Sequence, residues 1–458
     1  MKRIAWLAFV SLALIGCDGN ISESDPAQLS GDAQLRQLIT GNWGVLPMGE
    51  MPAQNPAMVA LGRALFFDKI LSGNRDIACA SCHQPSASLT DGLALAVGTG
   101  AVGEGIARRP GAGRTFVARQ SPTLINAGLG MFYMFWDGRV TQFGQEPLTN
   151  EPRVLPVLPN GPQPGTPTAL ISQALLTVLN RREMRGVAGD LDVHGNANEL
   201  AQIADNQPAA VWQAIMNRLL NIPEYAQLFS AAFPGRPAST LTFQDAALAI
   251  ATFERQEFTK TNSPFDRFLN REDAAMNAEQ KRGARLFFGK AQCSGCHNGP
   301  FLGGTNFANI GIPQIGPGGL KQSPLDLGRG ELLNNEFYKF AFRVAPLRNV
   351  ELTAPYMHNG AYSTLEAVVT HYTDATKALR TYDPSQLNPA LRSLYHGEDA
   401  TIQAVLATLD FRLRSRIEMT DTEKQEIVAF LKALTDPSAR DLHAVAPARV
   451  PSGLPVDL

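Results

Sequence analysis

The chain has 458 residues, with 40 basic and 42 acidic side chains and a formal net charge of −2. That balance argues against a nucleic-acid binder, which needs a basic face to neutralise phosphates. With 18% charged residues, 40 glycines and 31 prolines, the composition is that of a loop-rich globular protein rather than a disordered chain or a coiled coil, and the length suits two or three domains.

In chain order, the first element is an apolar run over residues 4–15, behind Lys2 and Arg3. It falls short of the ~20 residues that span a bilayer and has the form of an export signal. Its end, Leu14-Ile15-Gly16-Cys17, resembles the lipobox of bacterial lipoproteins. On that reading residues 1–16 are a signal peptide and Cys17 is lipidated; the alternative is a plain secretory signal with an incidental cysteine. Residues 17–44, largely polar, read as a tether.

Two predicted helices share an ending. Asn55-Pro56 supplies a cap and a first-turn proline to the helix carrying Gly62-Arg63-Ala64-Leu65-Phe66-Phe67. Asn277 with Gln280 forms a capping box for the helix carrying Gly283-Ala284-Arg285-Leu286-Phe287-Phe288. Between them, the stretch 152–167 holds six prolines and reads as an inserted loop. Thr242 with Asp245 opens a further helix, with Phe243, Ala246, Ile250 and Phe253 on one face. Thr420 with Glu423 opens the last, which carries Ile427, Leu431 and Leu434 before Asp436-Pro437. No alternating run predicts a strand. The expected class is mainly α, with two domains of one architecture, 45–240 and 241–440, related by internal duplication, and a tail over 441–458.

Each of the paired helices leads into a cysteine motif, Cys79-Ala-Ser-Cys82-His83 and Cys293-Ser-Gly-Cys296-His297. In a helical turn, positions i, i+3 and i+4 share a face. Two thiols can then bond to a porphyrin edge while the histidine reaches the iron, the pattern of c-type haem attachment. A four-thiolate zinc site or a redox-active Cys-x-x-Cys are the competing readings. The separation of 211 positions from Cys82 to Cys293, the repeated histidine and the lack of a βαβ pattern oppose them. His83 and His297 are the expected proximal ligands of two haems.

With these motifs, Ser121-Pro122-Thr123, Phe135-Trp136-Asp137-Gly138-Arg139, Ser263-Pro264-Phe265-Asp266-Arg267 and Thr353-Ala354-Pro355-Tyr356-Met357-His358-Asn359-Gly360, the chain resembles the bacterial di-haem cytochrome c peroxidase family, which includes MauG, over about residues 50–435. The resemblance implies that the first haem meets hydrogen peroxide and the second handles electrons, with a tryptophan between them. By motif match that tryptophan is Trp136; its plain reading is a core aromatic beside Phe132, Tyr133 and Phe135. Heterolysis of peroxide needs a proton taken from one oxygen and given to the other. The family's glutamate lies in an Asn-Pro-x-Glu-Met-like motif. Asn150-Glu151-Pro152-Arg153 puts arginine at its position, whereas Asn180-Arg181-Arg182-Glu183-Met184 fits better. The role is therefore carried to Glu183, with Glu151 and Glu146 in reserve; an exposed helix glutamate is the plain alternative.

Two departures mark a subtype. Many members cap the first iron with a histidine in a Gly-His-Gly setting, where this chain has Gly98-Thr99-Gly100. Thr99 is a poor iron ligand, so the first haem is expected to be open to peroxide. The distal methionine of the second haem falls on Tyr372, as in MauG-like members, with His371 and Met357 as competitors. The family also holds a calcium ion between its domains; Thr353, Pro355 and Gln120 match its contributors, although asparagine is usual at position 120. His194, His396 and His443 read as surface residues. The whole implies a periplasmic, lipid-anchored enzyme that uses hydrogen peroxide to oxidise a protein electron donor. Its rivals are MauG-like oxidation of Trp or Tyr side chains in a partner protein, and a non-enzymatic electron-transfer cytochrome. That last rival would need both irons six-coordinate, which Thr99 opposes.

Overall fold

Helices begin where a side chain takes up the otherwise unpaired first N–H groups. In the computed structural model, which describes residues 30–142, 144–145, 168–319 and 324–457, the expected caps do this. Asn55 accepts from Ala57 and Met58 at the start of Pro56–Phe67, and Asn277 with Gln280 closes a capping box on Ala278–Phe288. Asp245 accepts the Thr242 N–H at 2.8 Å, and Thr420 with Glu423 starts Asp421–Ala433. The protein is mainly helical, and every strand among the described residues is two residues long. The leader, Cys17, Glu146, Glu151 and the loop 152–167 lie outside the described residues.

Two large apolar cores organise these helices. The first gathers Pro56–Phe67, Thr168–Thr177, Pro208–Leu220, Pro223–Ala232 and Phe243–Glu257. The second gathers Ala278–Phe288, Leu365–Thr373 and Asp421–Ala433. Each has a helix pair in which one glycine lets two backbones touch. A Cβ on Gly62 would lie 2.0 Å from the Ala249 carbonyl oxygen, and one on Gly283 would lie 1.8 Å from that of Glu426. The large Phe residues fill the same seams: Phe66 and Phe67 meet Phe253, and Phe287 and Phe288 meet Phe430.

Three expected boundaries need correction. Residues 31–44, read as tether, form the helix Gly31–Gln37 and the turn Leu38–Asn42 and bury Leu35 and Ile39 in the second core, where Val45, assigned to the first domain, joins them. The helix Phe243–Glu257, assigned beyond the boundary at 240, fills the first core. The segment read as a tail packs against the body over its described residues, 441–457. Val450 and Leu454 join the first core, and Ser452 donates to Asp68 at 2.5 Å. Burial of apolar side chains from distant sequence decides all three.

Short ladders then fix the loops between the cores. Tyr133–Met134 pairs antiparallel with Val140–Thr141, and Phe307–Ala308 pairs with Phe342–Arg343. Arg119 ties the two regions, donating to Asp137 at 2.7 Å and to Asp326 at 2.6 and 2.8 Å.

Candidate functional site

Two cavities open beside the cysteine motifs. Cys79, Cys82 and His83 line the first, of about 320 Å³; Cys293, Cys296 and His297 line the second, of about 390 Å³. The two cysteine pairs thus wall separate spaces, which removes the geometry a shared four-thiolate zinc site requires. No disulfide joins them. Burial pushes the Cys79 and Cys293 thiols up to about 12, so both are held as neutral thiols.

Both histidines are oriented the same way. His83 Nδ1 lies 3.0 Å from the Leu89 carbonyl and His297 Nδ1 lies 2.9 Å from that of Leu302. A carbonyl only accepts, so Nδ1 carries the proton and Nε2 presents a lone pair, the arrangement of a ligating histidine. Burial lowers both rings to about 4, which keeps them neutral and ready to coordinate. Leu89 and Leu302 both adopt left-handed backbone, with φ of 61° and 54°, which is uncommon for leucine. Sequence carries no mark of these two carbonyls.

Glu183 lines the first cavity. It sits in the tight turn Arg181–Arg185, capped by Asn180, whose side-chain amide also donates to Glu183 Oε1 at 2.7 Å. Burial pushes the Glu183 carboxyl up, partly offset by Arg139. The segment expected to carry a capping histidine grips this turn. A Cβ on Gly98 would lie 1.8 Å from the Arg182 carbonyl oxygen, and Thr99 N–H donates to the Glu183 carbonyl at 2.7 Å. The Thr99 hydroxyl donates to Asp76 at 2.7 Å, and so is held by a carboxylate. A second acid, Glu254, also lines this cavity. Its Oε2 is buried without a partner, and burial raises the group to about 8. Reading it as one more residue of an amphipathic helix hides it.

Trp136 lines both cavities. Its indole N–H donates to the Gln120 carbonyl at 2.9 Å, and its own carbonyl accepts from Arg343 N–H at 2.7 Å. Tyr372 and Met357 belong to the lining of the second cavity. His371 is held elsewhere: Nδ1 lies 3.0 Å from the Tyr362 hydroxyl and Nε2 lies 2.7 Å from the Ile310 carbonyl. Both ring nitrogens are thus engaged, which opposes His371 as a ligand. Burial, then the neighbouring Cys296 and Cys293, raises the Tyr372 phenol well above its ordinary value.

The three residues matched to calcium do meet, but not as a cation site. The Gln120 amide nitrogen donates to the Thr353 carbonyl at 3.4 Å and to that of Pro355. An N–H₂ group therefore faces the two oxygens that would face the ion. This donor set does not suit calcium, which takes six to eight oxygens. Of the remaining histidines, His194 and His443 are exposed, while His396 is half-buried, with Nε2 at 3.3 Å from the Gly316 carbonyl. It is therefore not the surface residue expected.

A family model described as di-haem cytochrome c peroxidase matches residues 56–274. The methylamine utilization protein MauG of Methylorubrum extorquens is 27% identical over 442 residues, covering 95% of each chain. A cytochrome-c peroxidase of Denitromonas iodatirespirans is 31% identical over 373 residues, covering 75% of this chain and 79% of its own. Among solved structures, a MauG-like protein associated with microbial copper homeostasis superimposes with a TM-score of 0.57 at 24% identity, covering 86% of this chain and 94% of its own.

Proposed function

The chain belongs to the di-haem cytochrome c peroxidase and MauG family, and from that premise we propose that it is a hydrogen-peroxide-dependent oxidoreductase whose first cavity meets peroxide and whose second relays electrons to a partner protein. The observation that carries this reading is the asymmetry of the cavities. Both contain a Cys-x-x-Cys-His motif, but the described carboxyl groups line only the first.

Bound through thioethers at Cys79/Cys82 and Cys293/Cys296, two c-type haems supply iron for redox chemistry. His83 and His297 present Nε2 to them. Glu183 takes a proton from one peroxide oxygen and returns it to the other, and its raised carboxyl suits a group that must both accept and donate. Asn180 holds that carboxyl in aim. Trp136, the shared wall, supplies an aromatic path between the cavities, and its indole is fixed by Gln120. The repeated glycine-lined helix pairs and matching histidine–leucine contacts support two haem lobes of one architecture, related by duplication. For the leader, we read export and lipidation at Cys17, which would set the enzyme to work outside the inner membrane.

Tyr372 favours a second reading within the same class. A phenolate is a harder, anionic donor than a thioether and favours iron above the ferrous state. That suits MauG-like oxidation of Trp or Tyr side chains in a protein partner better than ordinary cytochrome oxidation. The test is direct. The haem-loaded protein should keep two haems after acid extraction and should consume peroxide without prior reduction. Glu183→Gln should lower the rate with peroxide by about 10²–10⁴-fold at unchanged haem content. Retention of full rate would remove Glu183 from the mechanism, and a protein without covalent haem would sink the reading altogether.

A further inference from the structure

A buried cation that forms no ion pair among the described residues stands at the seam of the two cavities. Arg343 is 6% exposed and lines both cavities. Its Nε donates to the Phe135 carbonyl at 3.1 Å, and its Nη1 makes a weak contact with Met131 Sδ at 3.7 Å. No carboxylate among the described residues pairs with it. Asp137, the acid that influences it electrostatically, is already bound by Arg119 and Arg139. Burial alone, only partly offset by Asp137, pulls the guanidinium down to about 10. A desolvated charge without a partner is costly, and proteins rarely keep one.

A second group without a partner lines the second cavity. His358 is 4% exposed, lines the second cavity, and its Nε2 is buried without a partner. Its ring stacks on Phe342, the neighbour of Arg343, at 3.5 Å between centroids, and stands edge-on to Trp136 at 6.4 Å. An arginine fork and an imidazole, both lining the second cavity, match an anionic, planar, two-oxygen group.

We propose that Arg343 and His358 form a carboxylate anchor that takes a propionate of the second haem and holds that edge of the macrocycle beside Trp136. The assignment to the second haem follows from His358, which lines only that cavity. This rests on the two-haem reading above. It gives Arg343 a cofactor-binding role in place of a packing one: its charge would hold the propionate ionised and set the potential of one haem.

The test uses the full haem-loaded chain and spectroelectrochemical titration of both haems. Haem attachment is through thioethers, so Arg343→Gln should still yield two haems per chain by haemochrome assay. Its second haem should titrate at a lower potential, because loss of a nearby cation favours the oxidised form. That potential should also fall as pH rises through neutrality, since the propionate has lost the charge that kept it ionised. Arg343→Lys should restore both behaviours in large part. His358→Phe, which keeps the stack on Phe342, should shift the second haem alone and carries the test if Arg343→Gln fails to fold. Two haems with unmoved potentials in both Arg343→Gln and His358→Phe would overturn the anchor while leaving the enzyme reading intact. A wild-type protein without haem would overturn both.

Discussion

Tyr372 and His371 are adjacent on the helix Leu365–Thr373, and their side chains leave it in different directions. The imidazole is spent on Tyr362 and Ile310, whereas the phenol lines the cavity. His371→Ala should therefore lower stability by about 1–3 kcal/mol through orphaned partners and leave the second haem's absorption spectrum intact. Tyr372→Phe should change that spectrum at little cost in stability. The reverse pattern would make histidine the ligand. At position 120 the same kind of argument separates a cation from a hydrogen bond. The Gln120 amide already satisfies Thr353 and Pro355, so chelation with EDTA should change neither the spectrum nor the peroxide rate, and elemental analysis should find no stoichiometric calcium. Gln120→Asn, one methylene shorter, withdraws the amide and is the variant in which calcium sensitivity should appear. Calcium retained by the wild type through dialysis would reverse this conclusion.

Helix pairs carry the architecture, and glycine sets their spacing. Gly62→Ala and Gly283→Ala would each drive a methyl into a backbone carbonyl, at 2.0 and 1.8 Å, which neither helix can yield without repacking. Each should cost at least about 2 kcal/mol in chemical denaturation, whereas an exposed mid-helix position such as Ala404 in Asp399–Ala407 replaced by Gly should cost about 1 kcal/mol. Equal, small effects would mean that the helices can slide apart. These pairs were legible in sequence because their signals are local. Asn55-Pro56, Asn277 with Gln280, and the Gly…Phe-Phe endings each fit inside a dozen residues, as do the two Cys-x-x-Cys-His motifs. What escaped is what distance decides. Leu35 and Ile39 sit in a polar stretch, and only the second core shows that they are buried. Val450 and Leu454 return to a core begun nearly four hundred residues earlier. Leu89 and Leu302 matter through carbonyls set by a backbone conformation leucine seldom adopts. Arg343 was passed over because arginine is by default a surface residue.

Over the whole molecule, the two cavities work together only if the regions around them hold register, and the buried cluster at Arg119 is the joint. Asp137 and Asp326 are both almost wholly buried. Burial alone would raise Asp137, but Arg139 and Arg119 outweigh it and hold the carboxyl well below the usual range; Arg119 does the same for Asp326. A depressed folded pKa means stability that is fully present above the unfolded value of ~4 and is lost as pH falls below it. The wild type should therefore lose stability steadily on acidification below about pH 4. Arg119→Met should behave differently. It strands Asp326 as a buried, unpaired charge, which should cost about 3–5 kcal/mol at pH 7. That carboxyl, now favouring its neutral form, regains stability as it protonates. The gap between the two proteins in denaturant midpoint should thus be widest near neutrality and narrow as the pH falls. A gap that stays constant from pH 7 to pH 3 would mean that Arg119 holds the joint by shape rather than charge. The register of Trp136 between the cavities would then depend on the apolar contacts around it.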